Sequence, residues 1–426
     1  MGCLYNALVR ILISAGEASG EMYGAQLIEA LRGVAQQKAA ELRSAGQPGA
    51  AVPTKAWQST LASQFTKASQ PTKASQLEFF GVGGDHMRAA GCDTVVDAKD
   101  LAVVGITEIL SQLPKIYGLY RQLIKEADKR KPNLAIVIDS PAFNWRVARA
   151  MKKRGIPVVY YVAPQFWAWR QGRVRLLREY VDKALVIFPF EEQFYRERGV
   201  DATFIGHPLA ELPHPTIARE DYAAQFKLDP SKHWITLMPG SRVKEVRMNL
   251  PAILEAATKL GESYEYLLPV ALTLDRSLLS SFIGQRPITL VPESLPALWH
   301  SRAGIIASGT ATVEAAMMAT PFVMVYRVSP LTYLLGKPRV KIPRFAMVNL
   351  IAGEELVPEL VQDDFTADQV VSRIQEILPD GVARDRMLEG MARVKKLLRG
   401  PDPDSLSPAE VAADLILRVA ALQPRL

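Results

Sequence analysis

The chain has 426 residues, 49% of them hydrophobic and 22% charged, with a formal net charge of +7. That length supports two domains with separate cores, and two cysteines, Cys3 and Cys92, exclude a disulfide scaffold and point to a reducing compartment. No uninterrupted apolar run reaches the length of a membrane span, and the modest basic excess suits an anionic small molecule, a lipid surface or RNA without choosing among them.

Leu8 to Ile13 predicts a first strand rather than a signal peptide, because its apolar stretch is broken by Arg10 and runs into Gly16-Glu17. The loop from Ser14 to Gly20 then leads into a helix predicted over Met22 to Val34. Strand, glycine loop and helix argue for a doubly wound α/β domain. Gly16, Gly20 and Gly24 do not make the G-x-G-x-x-G spacing, which weighs against a nicotinamide cofactor. Ser44 to Gln76 has no acidic residue and repeats Thr66-Lys-Ala-Ser-Gln70 as Thr72-Lys-Ala-Ser-Gln76. It buries too little apolar surface to offset its ordering entropy and reads as a flexible insertion, with an RNA- or lipid-binding tail as the alternative. Leu77 to Val82 is the next strand. Ile106 to Ala127 predicts one or two helices interrupted at Pro114. Its apolar members exceed what one packed face needs, so a buried helix and an acyl- or membrane-contacting surface both fit.

Leu134 to Ile138 is a buried strand with Asp139 directly after it, where open α/β sheets bind ligands. Capping of the following helix is the alternative role. Val158 to Val162 is another strand, and Phe166, Trp167 and Trp169 follow on its loop. Such aromatics stack on a sugar, line a lipid pocket or pack against a neighbouring domain. Val200 to His207 leads out of the domain, with His207 a structural residue or a ligand contact, and Pro208 to Pro215 is the linker. The predicted division is therefore 1–207, a linker at 208–215, a second domain at 216–385, and C-terminal helices at 386–426 that return to the first domain.

In the second half, Trp234 to Met238 predicts a strand and Pro239-Gly240-Ser241-Arg242 its loop. A glycine-serine turn beside a guanidinium at a helix start suits a phosphate, although the Walker spacing is absent. Ile305 to Ala307, the turn Ser308-Gly309-Thr310, a helix from Ala311 to Ala319 and a strand from Phe322 to Tyr326 form a β-turn-α-β unit. Glycine permits close approach of a ligand, and helix-start amides attract a diphosphate. Glu314, four residues after Thr310, is placed for ribose hydroxyls, an ordinary outward Glu being the alternative. The five histidines form no HExxH and no ligand pair, so no metal site is expected.

Taken in order, the words Gly16-Glu17-Ala18-Ser19-Gly20, Phe80-Gly-Val-Gly-Gly84, Ala102-Val-Val-Gly-Ile-Thr-Glu108, Ile138-Asp139-Ser140-Pro141, Tyr161-Val-Ala-Pro-Gln-Phe-Trp-Ala-Trp-Arg170, Phe204-Ile-Gly-His-Pro208, Leu237-Met-Pro-Gly-Ser-Arg242, Ala307-Ser-Gly-Thr-Ala-Thr-Val-Glu314 and Asn349-Leu-Ile-Ala-Gly353 resemble the lipid-A-disaccharide synthases, glycosyltransferases of the GT-B fold. The resemblance implies two Rossmann-like domains facing across a cleft. It implies inverting transfer of 2,3-diacylglucosamine from UDP to 2,3-diacylglucosamine 1-phosphate, releasing UDP, with no cofactor and no metal. It also implies peripheral attachment to the cytoplasmic face of the inner membrane and no nucleic-acid partner, and it leaves a homodimer open. Carried over residue by residue, Asp139 is the base, Arg242 the diphosphate clamp and Asn349 a donor-orienting residue. The substrate-binding set is Glu17, Ser19, Gly20, Phe166, Trp167, Trp169, His207, Gly240, Ser241, Ser308, Gly309, Thr310 and Glu314. The chain departs from the family pattern at Glu21, at Val348, and at Ala142, where a second aspartate is usual. A GT-B isomerase acting on UDP-sugars, or a UDP-sugar binder without turnover, is the alternative. The isomerase would not need the apolar surface of Ile106 to Ala127.

Overall fold

The computed structural model describes residues 8–16, 18–45, 77–101, 106–169, 171–271, 273–336, 342–400 and 406–421. From residue 46 onward the stretch read as an insertion lies outside the described residues, as does Glu17. Short apolar runs buried on both faces are the signature of parallel strands. Val9–Ala15 (β1), Leu77–Gly83 (β2), Cys92–Asp97 (β3), Leu134–Ile138 (β4), Val158–Tyr161 (β5), Lys183–Val186 (β6) and Ala202–Phe204 (β7) make one sheet. His233–Met238 (β8), Tyr264–Pro269 (β9), Ile288–Val291 (β10), Ala303–Ala307 (β11), Phe322–Tyr326 (β12) and Glu359–Val361 (β13) make the other. The orders are β3-β2-β1-β4-β5-β6-β7 and β10-β9-β8-β11-β12-β13, and the neighbouring strands run parallel throughout. The doubly wound α/β architecture expected from the sequence is the one observed.

Parallel neighbours need crossover connections, and helices supply them. Those that bear on the site are Ala18–Ala45 (α1), Ile106–Arg130 (α2), Pro141–Lys152 (α3), Val174–Tyr180 (α4), Pro189–Arg196 (α5), Val243–Leu260 (α6), Ala311–Met317 (α7), Val382–Leu398 (α8) and Pro408–Ala421 (α9). α1 runs well past the expected end at Val34, since 35–45 holds mostly strong helix formers and neither Gly nor Pro. α2 continues unbroken through Pro114, so the expected interruption is absent. That proline is exposed, which leaves the carbonyl it frees on the solvent side.

In both sheets the strand order reverses at one place, between β1 and β4 and between β8 and β11. Ligands of open α/β sheets bind in the crevice outside the carboxyl ends of the strands at such a switch point. One continuous apolar cluster runs from Ile11 and Leu27 through Ile205 and Leu209 to Val394 and Leu398. The chain passes between the halves twice at a single place. The His207 amide donates to the Leu398 carbonyl at 2.7 Å, and a Cβ on Gly206 would stand 3.0 Å from the Arg399 carbonyl oxygen. Beyond that crossing, α9 returns to pack on α1, where Lys38 and Asp414 form an ion pair.

Candidate functional site

The first half of the site is built where β1 and β4 end. Asp139 and Ser140 both take left-handed backbone, at φ 45 and φ 44, which turns the chain sharply from β4 into α3. Asn144, fully buried in the first turns of α3, holds that turn. Its Nδ2 donates to the carbonyls of Ile138 at 2.8 Å, Asp139 at 2.9 Å and Ser14 at 3.1 Å, while Ser14 Oγ donates to its Oδ1 at 2.7 Å. Tyr160 Oη donates to the Asp139 carbonyl at 2.7 Å. The backbone of Asp139 is thus fixed from two sides, and the residue itself is only partly buried at the sheet's ligand edge. Gly20 is buried in the first turn of α1, with Ser19 beside it in the same turn.

The second half is built where β8 and β11 end. Gly240 has φ 118 and a Cβ there would stand 2.6 Å from Glu245 Oε2, so only glycine fits the turn. Glu245 fills the space. Its Oε2 accepts from the Ser241 amide at 3.1 Å and the Arg242 amide at 3.3 Å, and its Oε1 from Arg242 Nη1 at 2.8 Å. The amides that the sequence suggests for a phosphate therefore hold an internal carboxylate, because a Glu at the third helical position closes a capping box. The Arg242 side chain is 77% exposed. Across the switch point, Ser308 Oγ donates to the Phe345 carbonyl at 2.8 Å, and Thr310 is exposed at the start of α7. Gly309 has φ 144, and nothing lies within 4 Å of the place a Cβ would occupy, so this turn opens onto free space. Glu314 accepts from Ser294 Oγ at 2.7 Å. Burial raises its carboxyl above the ordinary range, and the serine hydrogen bond opposes that.

Tyr23 feels charge from both halves. It lies on α1, 5% exposed. Burial, with the charges of Asp139 and Glu314 added, pushes its phenol up to about 12. Burial is the larger cause, and the two carboxylates, one from the end of β4 and one from α7, add to it.

Other residues marked in the sequence have structural surroundings. Asn349 is fully buried. Its Nδ2 donates to the Val357 carbonyl and to Glu359 Oε1, both at 2.8 Å, and its Oδ1 accepts from the amides of Leu356 at 2.8 Å and Val357 at 2.9 Å. Two donors and two acceptors exhaust a carboxamide, so Asn349 holds the 353–359 turn and has no capacity left for a donor sugar. His207 is 1% exposed. Its Nδ1 accepts from the Leu209 amide at 3.0 Å, and burial lowers the imidazole to about 3, so it is neutral. Phe166 and Trp167 are 6% and 8% exposed. Trp167 packs edge-on to Phe188 and Phe190 and donates from Nε1 to Glu191 Oε1 at 2.7 Å. It therefore does not line a lipid-facing cleft, because its indole finds a buried carboxylate instead. Trp169 ends the same short helix, Phe166–Trp169. Sequence reasoning missed Asn144, Glu191 and Glu245. For Glu245 a local signal existed, since a Glu three residues after a turn residue is the capping-box pattern. For Glu191, whose partner is 24 residues away, there was none. Among the described residues, no cluster of three or more His, Cys, Asp or Glu could hold a metal ion.

A family model described as Lipid-A-disaccharide synthetase matches residues 56–399. A lipid-A-disaccharide synthase from Koribacter versatilis (strain Ellin345) is 48% identical over 417 residues, 97% of this chain and 99% of that protein. One from Acidobacterium capsulatum is 44% identical over 429 residues, 97% and 98% of the two chains. Among solved structures, the calicheamicin glycosyltransferase CalG4 aligns with a TM-score of 0.56 at 14% identity, covering 97% of this chain and 99% of that one. A UDP-GlcNAc 2-epimerase from Neisseria meningitidis, bound to UDP-GlcNAc, aligns with a TM-score of 0.56 at 11% identity, covering 97% and 100%. At such identities the structural likeness establishes the shared GT-B fold alone.

Proposed function

The chain belongs to the lipid-A-disaccharide synthase family, and from that premise we propose how its cleft works as a glycosyltransferase. It transfers 2,3-diacylglucosamine from UDP to the 6-hydroxyl of 2,3-diacylglucosamine 1-phosphate, with UDP leaving from the opposite face of the anomeric carbon. Asp139 takes the hydroxyl proton, and general-base help of this kind contributes roughly 10²- to 10⁴-fold in rate. Arg242 exchanges its internal partner for the diphosphate, to which a guanidinium gives directed, charge-assisted bonds. The turn at Ser308, Gly309 and Thr310 adds backbone dipoles where charge grows on the leaving group. Glu314 accepts from the ribose hydroxyls. Asn144, Asn349 and His207 act through the backbone they hold, and Trp167 through Glu191, which itself accepts from the amides of Ile187 and Phe188.

The observation that supports this reading is the Ser308-Gly309-Thr310 turn at the switch point of the second sheet, where nothing lies within 4 Å of the place a Cβ on Gly309 would occupy, so a diphosphate can approach the backbone. No described helix is long and apolar enough to cross a membrane. Leu113 and Tyr117 of α2, 48% and 61% exposed, supply an apolar face suited to the cytoplasmic leaflet of the inner membrane. The deciding experiment is incubation of the purified protein with UDP-2,3-diacylglucosamine and 2,3-diacylglucosamine 1-phosphate. Disaccharide 1-phosphate and UDP should form in equal amounts, and failure to form either would overturn the assignment.

A further inference from the structure

The turn at Ser308, Gly309 and Thr310 is steadied from a distant part of the chain. Ser308 is fixed twice. Its amide donates to the Val325 carbonyl of β12 at 3.0 Å, and its Oγ donates to the Phe345 carbonyl at 2.8 Å. A serine hydroxyl has one proton to give. Ser308 gives it to Phe345, so its side chain holds the turn and does not donate to a phosphate. Phe345 is itself a point of return. The chain leaves β12 at Tyr326 and comes back at Phe345, whose ring stacks on that of Tyr326 with centroids 6.0 Å apart. Glu359, at the start of β13 and opposite Met324 of β12, fixes that return. Its Oε2 accepts from the Phe345 amide at 2.8 Å, and its Oε1 accepts from the Ala346 amide at 2.9 Å and from Asn349 Nδ2 at 2.8 Å. Ala346 caps the short helix Met347–Ala352 and supplies no side-chain hydrogen bond of its own, so a carboxylate from a strand does the capping. Ala346 is fully buried, where an unpaired amide is costly, and hydrogen bonds to an ionised acceptor are the strong ones.

We infer that Glu359 is a positioning residue for the diphosphate turn, acting on Ser308 through the Phe345 carbonyl and so setting where the Gly309 and Thr310 amides stand. The inference rests on the diphosphate role proposed above for that turn. It also ties Asn349 to the donor side of the site, since the carboxamide reaches the turn through Glu359 and not by touching the sugar.

The test is calorimetric titration of the full chain with UDP, in wild type, Glu359→Gln, Ser308→Ala and the double variant. Glutamine keeps the shape of Glu359 but turns an NH2 group against one of its N–H donors. Ser308→Ala removes the hydroxyl and touches nothing at Glu359. Each single variant should weaken UDP binding roughly tenfold, as loss of one such hydrogen bond does. The two changes break one chain of bonds, so the double variant should also lose roughly tenfold and not a hundredfold. A carboxylate that only caps a helix would lower the melting temperature and leave UDP affinity unmoved, or reduce it independently of Ser308. Should Glu359→Gln fail to fold, Glu359→Asp, which keeps the charge and shortens the reach, takes its place in the cycle. Wild-type affinity in either single variant, losses that multiply in the double variant, or a wild type that binds no UDP overturns the inference. Titration needs no turnover, so coupled losses in a protein that forms no disaccharide would leave the inference standing and sink the transfer reaction. Disaccharide formation with losses that multiply would do the reverse.

Discussion

Asp139 and Ser140 hold a backbone conformation that costs a non-glycine residue on the order of 1–3 kcal/mol, and Asn144 is the buried group that offsets it. Two substitutions separate chemistry from scaffold. Asp139→Asn should keep stability and UDP affinity and lose turnover by roughly 10²- to 10⁴-fold. Asn144→Ala leaves Ser14 and the carbonyls at the end of β4 without their partner, so stability should fall by about 2 kcal/mol or more along with turnover. Urea unfolding beside the disaccharide assay distinguishes the two. Two buried titrating groups give opposite pH trends. His207 stays neutral down to about 3 when folded, against an ordinary value of 6.5. The unfolded chain therefore binds the extra proton first, and stability is lost as pH falls from 6.5 toward 3. Glu191 keeps its proton up to about 7 against an ordinary 4.5, so it lowers stability as pH rises from 4.5 to 7. Between about pH 4.5 and 6.5 the two oppose each other. Replacing His207 by Gln removes the first trend, and its melting temperature relative to wild type should climb as the pH is lowered through that window.

At the level of elements, both halves of the site place a turn at a strand's carboxyl end, and the second half stabilises its turn with its own anion. Glu245 satisfies the amides at the start of α6, so an incoming diphosphate competes with a carboxylate already in place. Gly240→Ala drives a Cβ into that carboxylate and strains a φ of 118. It should weaken UDP binding at least about tenfold while the first domain keeps its fold, because steric clash with a rigid turn costs a kilocalorie or more. Isothermal titration with UDP measures it, and wild-type affinity would show that this turn does not hold the nucleotide. Arg242→Ala should weaken UDP binding and lose turnover together, since charged hydrogen bonds are worth about 1.5–3 kcal/mol.

The whole molecule is tied by α9, the last helix among the described residues, which packs on the first, α1. Ala412, Ala413 and Ile416 are fully buried there. Ending the chain at residue 406 should expose that face and lower the melting temperature by several degrees, at roughly 1.5–3 kcal/mol for each large buried side chain; an unchanged melt would show that α1 needs no cover. Fold class and family were legible without coordinates. Parallel strands are continuous apolar runs, the turns between strand and helix carry glycine at short range, and both signals are local. The places of Asp139, Gly309 and Glu314 in the fold were legible for the same reason, each standing a fixed few residues from a strand end. What tertiary structure alone decided lies in contacts far apart in the chain. Asn349, Trp167 and His207 look available in sequence, and the fold spends their hydrogen bonds internally. Ser14 meets Asn144 across 130 positions. Asp139 and Glu314 come from different halves of the chain, and both raise the Tyr23 phenol. Local propensity sets the strands and turns, but only packing between distant segments decides which polar groups are buried, and so which remain for a substrate.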